Sequence, residues 1–234
     1  MERDKKTSIE ILNKVGKNLT NSDVKINLAN KKVMLGIVNS YYNSYLELGD
    51  PVANDCFLAL EYYKESGYET FYLLDCTKEK FLSYFENFLS QKLKDFVLFY
   101  AGHGGTKNDK DGDEKDGKDE TWIFKNGELV DDEIAKCLNR NNCENVFVIS
   151  DSCHSGSIVD YPTLLKKNIT SFCACEDNQT SKQLAKNGIF TYFLFETIKK
   201  ENRLTTLRDK INPMIKSYNQ KSVIYGNREK MLLN

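Results

Sequence analysis

Short apolar runs of strand length, separated by segments of helical periodicity, constrain what this chain can fold into. Such runs occupy 32–38, 69–74, 96–100, 145–150 and 169–174, with a last one at 222–225. Apolar runs this short are the mark of strands buried on both faces. Helices are expected between them, at about 50–66, 78–92, 131–138, 188–199 and 204–218. Asp50-Pro51 supplies an N-cap and a proline at the first helical position, and Thr77 and Asp131 cap the next two helices. Phe81, Phe85, Phe88 and Leu89 fall on one helix face, a core stripe. A hairpin-like segment follows at 121–129. Strands alternating with helices predict an α/β fold, with a mostly parallel central sheet of about six or more strands and helices on both faces.

Two of the runs end in reactive side chains. Phe96-Val97-Leu98-Phe99-Tyr100 leads into Ala101-Gly102-His103-Gly104-Gly105, and Asn145-Val146-Phe147-Val148-Ile149-Ser150 leads into Asp151-Ser152-Cys153-His154-Ser155-Gly156. If the strands are parallel and adjacent, Cys153 and His103 share one sheet edge, where open α/β sheets place their ligands. Most cysteines are small buried hydrophobes. A thiol at a strand end beside a glycine-flanked histidine is instead a candidate nucleophile. A nearby imidazole is expected to lower its pKa and to carry the proton. The chain has two histidines. His154 adjoins the thiol in sequence, and neighbours on a turn point apart, so His103 is the better base. Acyl transfer also needs oxyanion donors. The backbone N–H groups of Cys153 and Gly104 are the expected pair, glycine letting substrate backbone come close.

The two motifs resemble those of caspase-like cysteine proteases, and most closely of metacaspases, in order and in spacing. The resemblance runs from about Lys31 to the C-terminus, with a large-subunit-like part at about 31–165 and a small-subunit-like part at about 166–234. Residues 1–30 read as a polar leader, with a short helix around 8–15. The resemblance implies a cysteine endopeptidase cleaving after Arg or Lys. It assigns Asp55, of Asn54-Asp55, to the specificity pocket, and Asp151 lies at the strand end beside the thiol. Two carboxylates would hold a cationic side chain by charge-assisted hydrogen bonds. The chain departs from the usual family residues at Val52 and Ala101. The short stretch between Cys153 and Ile169 argues against cleavage into two subunits.

The run 108–120 is strongly acidic. Read as an EF-hand it fails, because Glu114 stands where glycine is required. The resemblance implies a different calcium set, Asp119, Asp131, Asp132 and Asp160, with calcium regulatory rather than catalytic.

Length and composition allow one sizeable core in 234 residues. A net charge of −1 offers nucleic acid or membrane surfaces no electrostatic attraction. No apolar run reaches 18 residues and no signal pattern opens the chain. Seven irregularly spaced cysteines fit a reducing, cytoplasmic compartment better than a disulfide framework. The expected partners are peptide or protein substrates, and the expected state is a monomer. Two other readings stand beside this one: a catalytically idle caspase-fold scaffold, and a separase-like or legumain-like peptidase of different specificity.

Overall fold

The computed structural model describes residues 5–108, 117–159 and 168–233. In chain order the elements are α1 (Lys5–Leu12), β1 (Lys17–Asn18), β2 (Lys32–Val38), α2 (Asp50–Glu65), β3 (Glu69–Leu74), α3 (Lys78–Leu89), β4 (Asp95–Ala101), β5 (Gly104–Asn108), β6 (Lys118–Phe124), β7 (Gly127–Val130), α4 (Asp131–Asn139), β8 (Val146–Asp151), β9 (Ile169–Cys173), α5 (Ile189–Ile198), α6 (Leu204–Ile215) and β10 (Val223–Gly226). Seven strands form the central sheet in the order β1-β3-β2-β4-β8-β9-β10, and β5-β6-β7 form a small second sheet. The central strands pair in parallel, except that β10 runs antiparallel to β9. The fold is the expected α/β architecture.

The pleat sends alternate side chains to opposite faces, and so each apolar run feeds two cores. On β4, Val97, Phe99 and Ala101 join a layer with α1, α2, α5 and α6, while Phe96, Leu98 and Tyr100 face α3, α4 and the small sheet. Tyr100 stacks on Trp122 at 4.4 Å between ring centroids, which clamps the small sheet onto the large one. The Phe81, Phe85, Phe88 and Leu89 stripe is buried as periodicity required.

The ends of elements differ from expectation. Thr77 caps α3 through its side chain, but α3 stops at Leu89. Asp50 is the first helical residue of α2 rather than its cap; Gly49 occupies that place at φ 65°. Asp131 is likewise inside α4, with Val130 at the cap position. Its carboxylate instead accepts N–H groups from Asp132 and Glu120. The strand β5 was not expected, because its Gly-Gly-Thr-Lys-Asn sequence lacks an apolar pattern; pairing with β6 creates it. Ahead of residue 31, Leu12, Leu19 and Leu28 are buried, and β1 adds to the sheet edge beside β3. Tertiary contacts thus draw this polar stretch into the core.

Candidate active site

The register of β4 and β8 decides the site. Ala101 pairs with Asp151, so the segments after both strands leave the sheet side by side. They carry His103 and Cys153 into one cavity of about 200 Å³, lined also by Leu48, Val52, Asp55, Asp151, Ser181 and Gly188. Val52 and Ala101, the two departures from the family residues, both line it.

His103 is held on two sides. The Leu46 carbonyl accepts from its Nε2 at 2.9 Å, and the Tyr41 ring stacks on the imidazole at 5.0 Å. A carbonyl can only accept, so Nε2 carries the hydrogen, and it is the neutral form of the ring that has its lone pair on Nδ1. His154 is turned elsewhere. Its Nδ1 donates to the Asp177 carbonyl and its backbone N–H to Gln179, at a φ of 50°. Cys153 is half-buried, and its Sγ donates to the Ser181 carbonyl at 3.8 Å. Burial pushes the thiol above its ordinary range, and the hydrogen bond at Ser181, then the charge of Lys182, oppose this without overcoming it. The expected lowering of the thiol is therefore absent in the resting site, because the cost of desolvation is larger. Gly104 packs so tightly that a Cβ there would fall on the Cys153 carbonyl.

Lining the same cavity as Cys153 and His103 are two buried carboxylates. Asp55, on α2, accepts from Asn187 Nδ2 at 2.9 Å and from the Gly188 N–H at 2.9 and 3.0 Å. Asp151 accepts from Ser181 Oγ and Thr191 Oγ1, both at 2.6 Å, and from the Thr191 N–H. Burial raises both pKa values, and for Asp55 the neighbouring Asp151 charge adds to it. Gly188 threads between the pair: a Cβ would strike Asp151 Oδ2 and lie 3.0 Å from Asp55 Oδ2. Sequence reasoning missed Ser181, Thr191 and Gly188. The Asn187-Gly188 pair is a turn signal, but nothing local says which carboxylate such a turn will meet.

The proposed calcium residues are placed unevenly. Asp119 and Asp131 are buried, with Asp132 beside them. Asp160 lies outside the described residues. Burial, then the charges of Glu120 and Asp119, raise Asp131 to about 8. Glu120 belongs to the same cluster, and its carboxylate accepts from Ser157 Oγ in the segment after Cys153. Among the described residues no three such side chains converge on a single metal position. Crowded carboxylate oxygens are the donor type that a hard cation takes.

The caspase domain family matches residues 31–232. Metacaspase-1 of Arabidopsis thaliana is 29% identical over 154 residues, which are 50% of this chain and 42% of that protein. Metacaspase-1A of Neurospora crassa is 41% identical over 98 residues, 38% of this chain and 22% of its own length. The chain thus spans less than half the length of these curated relatives. Among solved structures, protein GSU0716 from Geobacter sulfurreducens superposes with a TM-score of 0.68 at 24% identity, covering 85% of this chain and 95% of that one; this likeness concerns the fold. With the caspase domain model matched over residues 31–232, the chain belongs to the caspase-domain family, and the curated proteins it is similar to are metacaspases.

Proposed function

We propose that the protein is a cysteine endopeptidase that cleaves after Arg or Lys through a Cys153/His103 dyad, with calcium as activator. One observation carries this: His103, Cys153, Asp55 and Asp151 line the same cavity. The substrate's basic side chain enters the pocket and meets two carboxylates already held by neutral donors, and charge-assisted bonds fix it there. His103 Nδ1 takes the thiol proton as Sγ attacks the scissile carbonyl. The carbonyl electron pair moves to oxygen, which the N–H groups of Cys153 and Gly104 stabilise. Collapse expels the amine, which receives the proton from His103. Water, deprotonated by the same imidazole, then hydrolyses the thioester and restores the thiol.

Asp119, Asp131 and Asp132, joined by Asp160, would hold calcium. The ion supplies charge neutralisation in this reading, and the Glu120 to Ser157 bond links the acid cluster to the segment after Cys153. No helix among the described residues is long and apolar enough to cross a membrane. All seven cysteines are free, which supports a reducing compartment such as the cytoplasm.

The test is hydrolysis of short fluorogenic peptides ending in Arg, Lys or Asp, in calcium and in chelator. Cleavage after Arg and Lys that rises with calcium is expected. Efficient cleavage after Asp would reverse the specificity reading. Loss of all turnover under every condition would favour the idle scaffold.

A further inference from the structure

We infer that Tyr41 is a positioning residue for His103, setting the imidazole for proton transfer through a stack and a backbone anchor. The inference rests on the dyad reading above. Two contacts tie the phenol to His103, and a third ties it to the small sheet. The Tyr41 ring lies on the imidazole at 5.0 Å and 30°. Its oxygen accepts the His103 backbone N–H at 3.0 Å. Its O–H donates to the Ile123 carbonyl at 2.7 Å, which ties the assembly to the small sheet.

Tyr41 is itself over-determined. It is 5% exposed and sits at φ 53°, a conformation that non-glycine residues adopt only when the surroundings hold it. Here the holder is Asp75, whose carboxylate accepts the Tyr41 N–H at 2.7 Å and the Tyr42 N–H at 3.3 Å. Asp75 is reached in turn by Lys5 Nζ at 3.5 Å, and Tyr42 Oη pairs with Ser8 Oγ at 2.6 Å, both from α1. The segment 39–49 is therefore braced from the N-terminal helix, and it touches the base at two points, the Tyr41 ring and the Leu46 carbonyl. A bonded Nε2 alone lets the imidazole pivot about that bond. A ring on its face removes the pivot, and a fixed backbone N–H removes drift of the whole residue. Effective proton transfer needs that geometry. Burial pushes the Tyr41 phenol up to about 12, so the O–H stays a donor through the working pH range.

The test compares Tyr41→Leu, Tyr41→Phe and His103→Ala for kcat, KM and melting temperature. Tyr41→Leu removes the stack and both hydroxyl contacts, and kcat is expected to fall about a hundredfold with KM within about twofold. Tyr41→Phe keeps the stack and loses the hydroxyl, and should recover kcat to within about tenfold of the unaltered protein. Equal kcat in Tyr41→Leu and the unaltered protein overturns the inference. So does a KM that rises as kcat falls. If Tyr41→Leu fails to fold, the Phe variant decides alone: a kcat more than about a hundredfold down at unchanged melting temperature rules out the stack as the positioning element. His103→Ala separates the two readings: an inactive His103→Ala beside a fully active Tyr41→Leu breaks only this inference, and an active His103→Ala breaks the dyad itself.

Discussion

Buried carboxylates stand at both ends of the central sheet, and they are treated in opposite ways. At the start of β4, Asp95 receives both guanidinium nitrogens of Arg228, at 2.8 and 2.9 Å, together with the Tyr68 hydroxyl. The side chains are 4% and 2% exposed. At the far end, Asp55 and Asp151 are equally buried but are met only by neutral donors, with no cationic side chain bonded to either among the described residues. A charge fully paired within its own chain holds a fold together. Carboxyl groups braced by neutral donors and lining a cavity keep no cation of their own, and in the reading proposed above the substrate brings it. The same sheet thus carries a closed ion pair at one edge and an open one at the other.

The largest effects should come from the dyad at the open edge. Cys153→Ala is expected to abolish peptide hydrolysis and His103→Ala nearly to do so, while His154→Ala keeps substantial activity, because its Nδ1 is spent on the Asp177 carbonyl. An inactive His154→Ala beside an active His103→Ala would exchange the bases. Next comes the comparison itself. Asp55→Ala or Asp151→Ala should cost ~2–5 kcal/mol in kcat/KM for Arg and Lys substrates by leaving the cation unpaired. Arg228→Met should instead lower stability by ~3–5 kcal/mol, measured by denaturant titration, and leave the preference for Arg and Lys over other side chains unchanged. If Arg228→Met altered specificity, or Asp55→Ala unfolded the protein, the two edges would not differ as described.

Smaller still is the calcium response. Asp131→Ala with Asp132→Ala should remove the rise in activity on adding calcium while circular dichroism stays the same. Full activity of that double variant in chelator would show that these acids take no part in activation by calcium. The smallest effect concerns the thiol. Burial raises its pKa, so the neutral form persists to higher pH than in free cysteine, and alkylation of the resting enzyme by a neutral reagent should climb only at correspondingly higher pH. Lys182→Ala removes the charge that opposes this and should move the profile further up. A profile identical to that of the unaltered protein would show that Lys182 does not act on the thiol.

The apolar runs and their alternation with helices are local properties, and local chemistry was enough to read them. The six central strands read from those runs, the helices between them and the two motifs at the ends of β4 and β8 were legible because burial on both faces demands unbroken apolar residues. The resemblance added Asp55. What no local pattern carried was the meeting of distant segments. The turn at 187–188 comes to the carboxylate of α2, the phenol of Tyr41 comes over His103, and the glycines, threonine and asparagine of β5 become a strand only because β6 lies beside them. The cap of α4 slipped for the same reason, since Asp131 bonds to the N–H of Glu120, eleven residues away, as well as to its own helix. Sequence alone determined the strands and the pair of reactive side chains, because hydrophobic periodicity is set residue by residue. Tertiary structure alone decided which neutral groups brace Asp55 and Asp151, which ring stacks on His103, and that burial pushes the Cys153 thiol up, because hydrogen bonds across the fold and the cost of desolvation exist only once the chain has closed.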